Sequence, residues 1–120
     1  MVTFDHEQLG AYQNAKVFSE SIFVYVNRLD SQKRNTRDQL SRAVESILYN
    51  IAEGNGKSTA TERRRFFRTA KASALECAAI IDVLHIQGIV SESGREQLRK
   101  ELADVIRPLS GLIKHTAGPR

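Results

Sequence analysis

The sequence predicts an all-α fold, an antiparallel up-down-up-down four-helix bundle with left-handed crossings, and three observations predict it. Apolar residues recur at steps of three and four along most of the 120-residue chain. Polar or glycine-bearing stretches interrupt that rhythm three times, at "DSQKRNTRD", "EGNGKST" and "QGIVSESG". No stretch shows the period-two alternation of a half-buried strand. Four amphipathic helices joined by short polar turns can hide their stripes only against one another, which makes residues 1–120 a single bundle domain. Steps that average about 3.5 residues favour a shallow crossing of about 20°.

The first helix, expected near 8–29, places Ala15, Phe18, Ile22, Tyr25 and Leu29 on one face. The second, near 36–54, carries Leu40, Val44, Ile47 and Ile51, widened by Ala43 and Leu48. Thr36 and Gln39 stand in capping-box register at its start. Gly54 and Gly56 are expected to end it in the left-handed conformation. The third, near 59–88, opens on a Thr59–Glu62 capping box and runs through Phe66, Ala70, Ser73, Cys77, Ile80 or Ile81, and Leu84, with Gly88 as its stop. Its small residues, Ala70, Ala72, Ala74, Ala78 and Ala79, allow a neighbour to approach closely. The fourth, near 92–114, is capped by Ser91 or Ser93 and carries Leu98, Leu102, Val105, Leu109 and Leu112. Pro108 should remove one hydrogen bond there and kink the last turns.

An apolar fraction of 41% and a charged fraction of 27% are those of an ordinary folded protein, not a disordered one. The net charge of +4 leaves two readings, a solvated basic surface or a polyanion partner. Cys77 is the one cysteine, so no disulfide can form within the chain, and its apolar surroundings suit a small core side chain. With no signal-peptide pattern and no apolar run of about 20 residues, a cytoplasmic protein with no membrane partner is expected.

The stretch "EGNGKST" imitates the tail of a phosphate-binding loop through Gly56, Lys57 and Ser58. That motif needs a further glycine five residues before Gly56, and Ile51 of the second helix stands there. The strand that would aim such a loop is also missing. His6, His85 and His115 lack a second histidine or cysteine at metal-ligand spacing, and His85 with Asp82 could hold at most a weak ion. No exposed serine nucleophile or Glu-x-x-His pair occurs. The expectation is a non-enzyme with no metal and no cofactor.

One pattern spans helices two and three: Ser46, Ile47, Asn50, Ile51, Ala52, Glu53 and Gly54, then a polar loop, then Phe66 or Phe67, Ala70, Ser73 and Glu76. It resembles the four-helix bundle family of proteins encoded in intervening sequences of bacterial 23S ribosomal RNA genes. The close match covers about the middle third of the chain. The resemblance implies a basic bundle that assembles into ring-shaped homopentamers. A related branch, the accessory variability proteins of diversity-generating retroelements, works with a reverse transcriptase and binds nucleic acid through a positive surface. A reverse transcriptase partner is therefore implied only where one is encoded nearby.

The signature residues also read physically. Asn50 lies beside Ile47 and Ile51, where an unpartnered amide costs about 1–3 kcal/mol. Glu53 ends its helix against the dipole and calls for a partner. Glu76 follows Ser73 by three residues, with Arg64 and Arg68 as candidate partners. Asn50, Glu53, Gly54, Ser73 and Glu76 are accordingly expected to form a structural network that fixes helix register.

Arg63, Arg64, Arg65, Arg68 and Lys71 crowd the start of helix three, with Lys57 before them and only Glu62 opposing. Arg64, Arg68 and Lys71, at steps of four and three, should form one exposed stripe. Lys33, Arg34, Arg37 and Arg42 make a second cluster at the start of helix two. The function this supports is weak, sequence-tolerant RNA or DNA binding by a homo-oligomer through the first cluster, with Lys57 and Arg42 at its margin. The alternative is a protein scaffold whose arginines serve solubility and subunit salt bridges.

Overall fold

In the computed structural model, which describes residues 1–116, the helices are α1 (Gly10–Val26), α2 (Arg34–Gly56), α3 (Ala60–Ile86) and α4 (Glu92–Thr116). Single 3₁₀ turns at Asp5–Gln8 and Ser31–Lys33 precede the first two. No strand occurs among the described residues. Each helix packs on two others: α1 and α3 both lie against α2 and α4, while neither diagonal pair, α1 with α3 or α2 with α4, meets. The helices therefore enclose one core, as a bundle does.

The predicted stripes supply that core. Phe18 and Ile22 of α1, Leu40, Ile47 and Ile51 of α2, Ile81 and Leu84 of α3, and Leu98, Leu102 and Leu109 of α4 are all fully buried. Each such side chain contributes about 1.5–3 kcal/mol by leaving water. Tyr25, Leu48 and Leu112 of the expected stripes are only half-buried, and Leu29 is buried beyond the end of α1. On α3, Phe67 is buried while Phe66 is not. The cause is Gly54. A Cβ added there would stand 2.8 Å from Phe67 Cε1, so the bare backbone of α2 is the seat of the Phe67 ring.

Gly54 consequently does not end α2, which runs on to Gly56. Neither glycine adopts positive φ; among the described residues Gly88 alone does, at 78°, as the expected stop of α3. The start of α2 also departs from expectation. Asp30 accepts a hydrogen bond from Gln32 N (3.0 Å) and nucleates the Ser31–Lys33 turn, which feeds straight into α2. Thr36 is thus already helical, and no Thr36–Gln39 box forms. Of the Thr59–Glu62 box only half forms: Thr59 Oγ1 accepts from Glu62 N at 3.2 Å, while Glu62 Oε1 accepts from the Thr59 hydroxyl (2.9 Å) and not from its backbone N–H. Of the two candidate serines, Ser91 caps α4, accepting from Gly94 N at 3.1 Å, and Ser93 lies inside the helix.

Pro108 does not break α4. Proline cannot donate to the carbonyl four residues back, which here is that of Asp104. Asn14 Nδ2 of α1 donates to that carbonyl at 2.9 Å. The vacancy left by the ring is filled by a neighbouring helix, and α4 continues to Thr116. Close by, Glu101 is buried, accepting from Ser21 Oγ (2.9 Å) and Gln97 Nε2 (3.1 Å).

Candidate nucleic-acid interface

The basic residues of α3 do not share one environment. A stripe of Arg64, Arg68, Lys71, Leu75, Ala78 and Asp82, at steps of four and three, runs along the side of α3 that faces α4. Both ends of it are pinned. Arg64 Nη1 donates to Thr116 O at 2.9 Å, meeting a carbonyl in the last turn of α4 where a cation also offsets the helix dipole. Asp82 Oδ1 accepts from Arg95 Nε at 2.9 Å and stands 3.7 Å from Arg99. Arg64 is half-buried, which corrects the expectation of a wholly exposed stripe.

Arg65 and Arg68 are exposed and Lys71 is half-buried, and none of the three pairs with a described carboxylate. Arg63 turns back over its own helix, its guanidinium 6.0 Å from the centroid of the Phe67 ring. Lys57 lies 5.2 Å from the Phe66 ring and 3.6 Å from Glu53. Both cations thus cover aromatic rings, as long amphipathic side chains do. The loop and the start of α3 bring Lys57, Arg63, Arg65 and Arg68 to one end of α3, with Lys71 a turn further along.

Arg42 is not brought to that cluster. It stands at a polar cleft between α2 and α3, lined with Gln39, Ser46, Ser73 and Glu76. Lys33 bonds Gln87 Oε1 at 3.2 Å, so the second basic cluster sits at the opposite end of α3 from Arg63.

The expected polar network is real in part. Ser46 Oγ and Ser73 Oγ lie 2.7 Å apart, and Asn50 Nδ2 donates to Ser46 O (2.8 Å) and Ser46 Oγ (3.0 Å). Glu76 accepts from Gln39 Nε2 at 3.2 Å, not from Arg64 or Arg68. Glu53 is exposed and pairs with Lys57 alone, apart from the serines. Gly54 serves the fold sterically. The contacts of Ser46, Asn50, Ser73 and Glu76 join α2 to α3. His85 likewise has structural partners, Nδ1 donating to Val90 O (2.8 Å) and Nε2 lying 3.0 Å from Glu92, while Asp82 pairs with arginines instead. Among the described residues no cluster has the make-up of a metal site.

The sequence model of the 23S rRNA-intervening sequence protein family matches residues 7–111. The chain belongs to that family. No curated protein matches the sequence. The family match extends well beyond the signature on α2 and α3, taking in α1 and most of α4. In this member of the 23S rRNA-intervening sequence proteins, the signature residues Ser46, Asn50 and Ser73 form one hydrogen-bonded chain, and Gly54 makes room for Phe67.

A further basic row lies on α4. Lys100, Arg107 and Lys114 are exposed at seven-residue spacing, two helical turns apart each time. That spacing is visible in the sequence, but the row is diluted among Glu96, Asp104 and small residues. No helix among the described residues is long and apolar enough to cross a membrane.

Proposed function

We propose that this chain is a non-enzymatic, cytoplasmic homo-oligomer, a pentameric ring by family resemblance, that binds RNA or DNA weakly and without sequence preference. The observation that carries the proposal is the group Arg65, Arg68 and Lys71, cationic and without a described carboxylate partner, beside Arg63 and Lys57. Cations held free of internal partners are available to phosphates, and each phosphate neutralised releases counterions. Contacts of this kind position a nucleic acid without reading its bases. Repetition around a ring multiplies a weak patch into a strong one.

The bundle is proposed to run up-down-up-down with left-handed crossings. The pairings Gly54–Phe67, Ser46–Ser73 and Gln39–Glu76 support an α3 that returns along α2. Arg64–Thr116 and Asp82–Arg95 support the same for α3 and α4.

A second reading, a protein-binding scaffold, is favoured by one observation: Leu75, Val83 and Ile86 are left 51%, 47% and 82% exposed on α3. Purification separates the two. A nucleic-acid binder retains absorbance at 260 nm at low salt and sheds it at high salt, whereas a scaffold elutes clean at both. A reverse transcriptase is a partner only if one is encoded beside this gene.

A further inference from the structure

The outward face of α2 and the groove between α3 and α4 are opposite in charge and matched in spacing. On α2, Asp38, Arg42, Glu45, Tyr49 and Glu53 follow at steps of three and four, all exposed. Tyr49, 64% exposed, stands midway between Glu45 and Glu53. Those two carboxylates are thereby separated by about 12 Å along the helix axis.

The α3–α4 groove encloses 690 Å³ and has an apolar floor of Leu75, Ala78, Leu102, Ala103 and Ile106. On its α4 rim, Lys100 and Arg107 stand about 10.5 Å apart along the axis, with the small side chain of Ala103 between them. One surface is an aromatic flanked by anions; the other is an apolar trough flanked by cations. The lining cations Arg95, Arg99, Lys100 and Arg107 outnumber Glu96 and Asp104, while Asp38, Glu45 and Glu53 outnumber Arg42.

We infer that Tyr49 of one copy seats in the α3–α4 groove of a second copy, where Glu45 and Glu53 meet Lys100 and Arg107. This rests on the homo-oligomer reading above and names its two faces. An exposed tyrosine entering an apolar trough is the kind of anchor that carries interface energy, and the flanking charges fix its register. Arg107 already lies 3.7 Å from Asp104 and Glu53 lies 3.6 Å from Lys57, so both exposed pairs open or are shared when the faces meet.

Because α2 and α4 do not touch within the chain, the two faces lie on different sides of the molecule. A contact between unlike faces leaves one of each kind free at the ends, and it propagates into a ring where the rotation closes. Arg65 and Arg68 are not among the residues of either face, whereas Lys57 adjoins the α2 face through its pair with Glu53.

The experiment is a reciprocal charge exchange in the full chain, read by sedimentation at low and moderate salt with circular dichroism as the control for folding. Glu45→Lys with Glu53→Lys, and separately Lys100→Glu with Arg107→Glu, should each weaken self-association by at least about tenfold. The chain carrying all four substitutions should recover it. Tyr49→Ser, at an exposed position, should weaken assembly without changing the helical spectrum, which keeps the test open if a charge variant misfolds. Charge variants that assemble like the parent, or a fourfold variant that stays dissociated, would show that other faces meet. A parent chain that is itself a monomer at micromolar concentration would instead overturn the homo-oligomer reading and this inference with it.

Discussion

Arg64 closes α4: its guanidinium donates to the carbonyl of Thr116, 52 residues later in the chain. The one arginine of the "RRR" run tied in this way is therefore part of the fold. Replacing it by glutamine should cost about 1–2 kcal/mol, because a bond from a charged donor is worth about 1.5–3 kcal/mol and half-exposure to solvent weakens it. Thermal unfolding would show a Tm lower by several degrees, whereas Arg65→Gln and Arg68→Gln should leave Tm within about a degree. Equal Tm values for all three would mean that Arg64 holds nothing.

Asn14 and Pro108 should behave as a coupled pair. Asn14→Ala leaves the Asp104 carbonyl without a donor and should cost about 1–2 kcal/mol. Pro108→Ala restores an N–H to the helix, so the same Asn14 change made in that background should cost much less. A double-mutant cycle by denaturant unfolding measures the difference, and strict additivity would contradict the pairing.

Gly54 and Phe67 should be coupled for a steric reason. Gly54→Ala drives a methyl into the ring edge at 2.8 Å, and overpacking of this kind costs about 1–3 kcal/mol. Phe67→Leu removes that edge, so the combined variant should be less destabilised than the sum of the two.

Much of the fold is legible in the spacing of apolar residues, because a helix buries whatever recurs at its own period. The stripes of Leu40, Ile47 and Ile51 or Leu98, Leu102 and Leu109 need no tertiary knowledge. What was not legible depends on neighbours distant in sequence. Phe66 and Phe67 are interchangeable on paper, and only the space above Gly54 decides between them. Glu101 reads as a surface residue, yet Ser21 and Gln97 draw it inside. The basic cluster was visible as composition, but the withdrawal of Arg64 to the end of α4 and of Arg63 over Phe67 was not.

Cys77 gives a pH dependence whose sign can be worked out. Burial, reinforced by the nearby negative charge of Glu76, pushes its thiol up to about 12 from an ordinary 9.0. Above pH 9 the unfolded chain releases the thiol proton while the folded chain keeps it, so stability falls as pH rises towards 12. The stability difference between the parent and Cys77→Ala should therefore shrink by up to about 1.4 kcal/mol per pH unit above pH 9. A difference constant from pH 8 to pH 11 would place the thiol in contact with water.

The direct test of phosphate binding is the affinity of the assembled protein for a labelled, mixed-sequence oligonucleotide, measured across a series of salt concentrations. Arg68→Gln together with Lys71→Gln should weaken binding to every sequence alike and reduce the slope of log affinity against log salt by about 1.4–1.8, at about 0.7–0.9 for each phosphate no longer neutralised. Tm and particle size should be unchanged. An unchanged slope and affinity in that variant, or a parent protein that binds no oligonucleotide even at low salt, would contradict a phosphate-binding role for the start of α3.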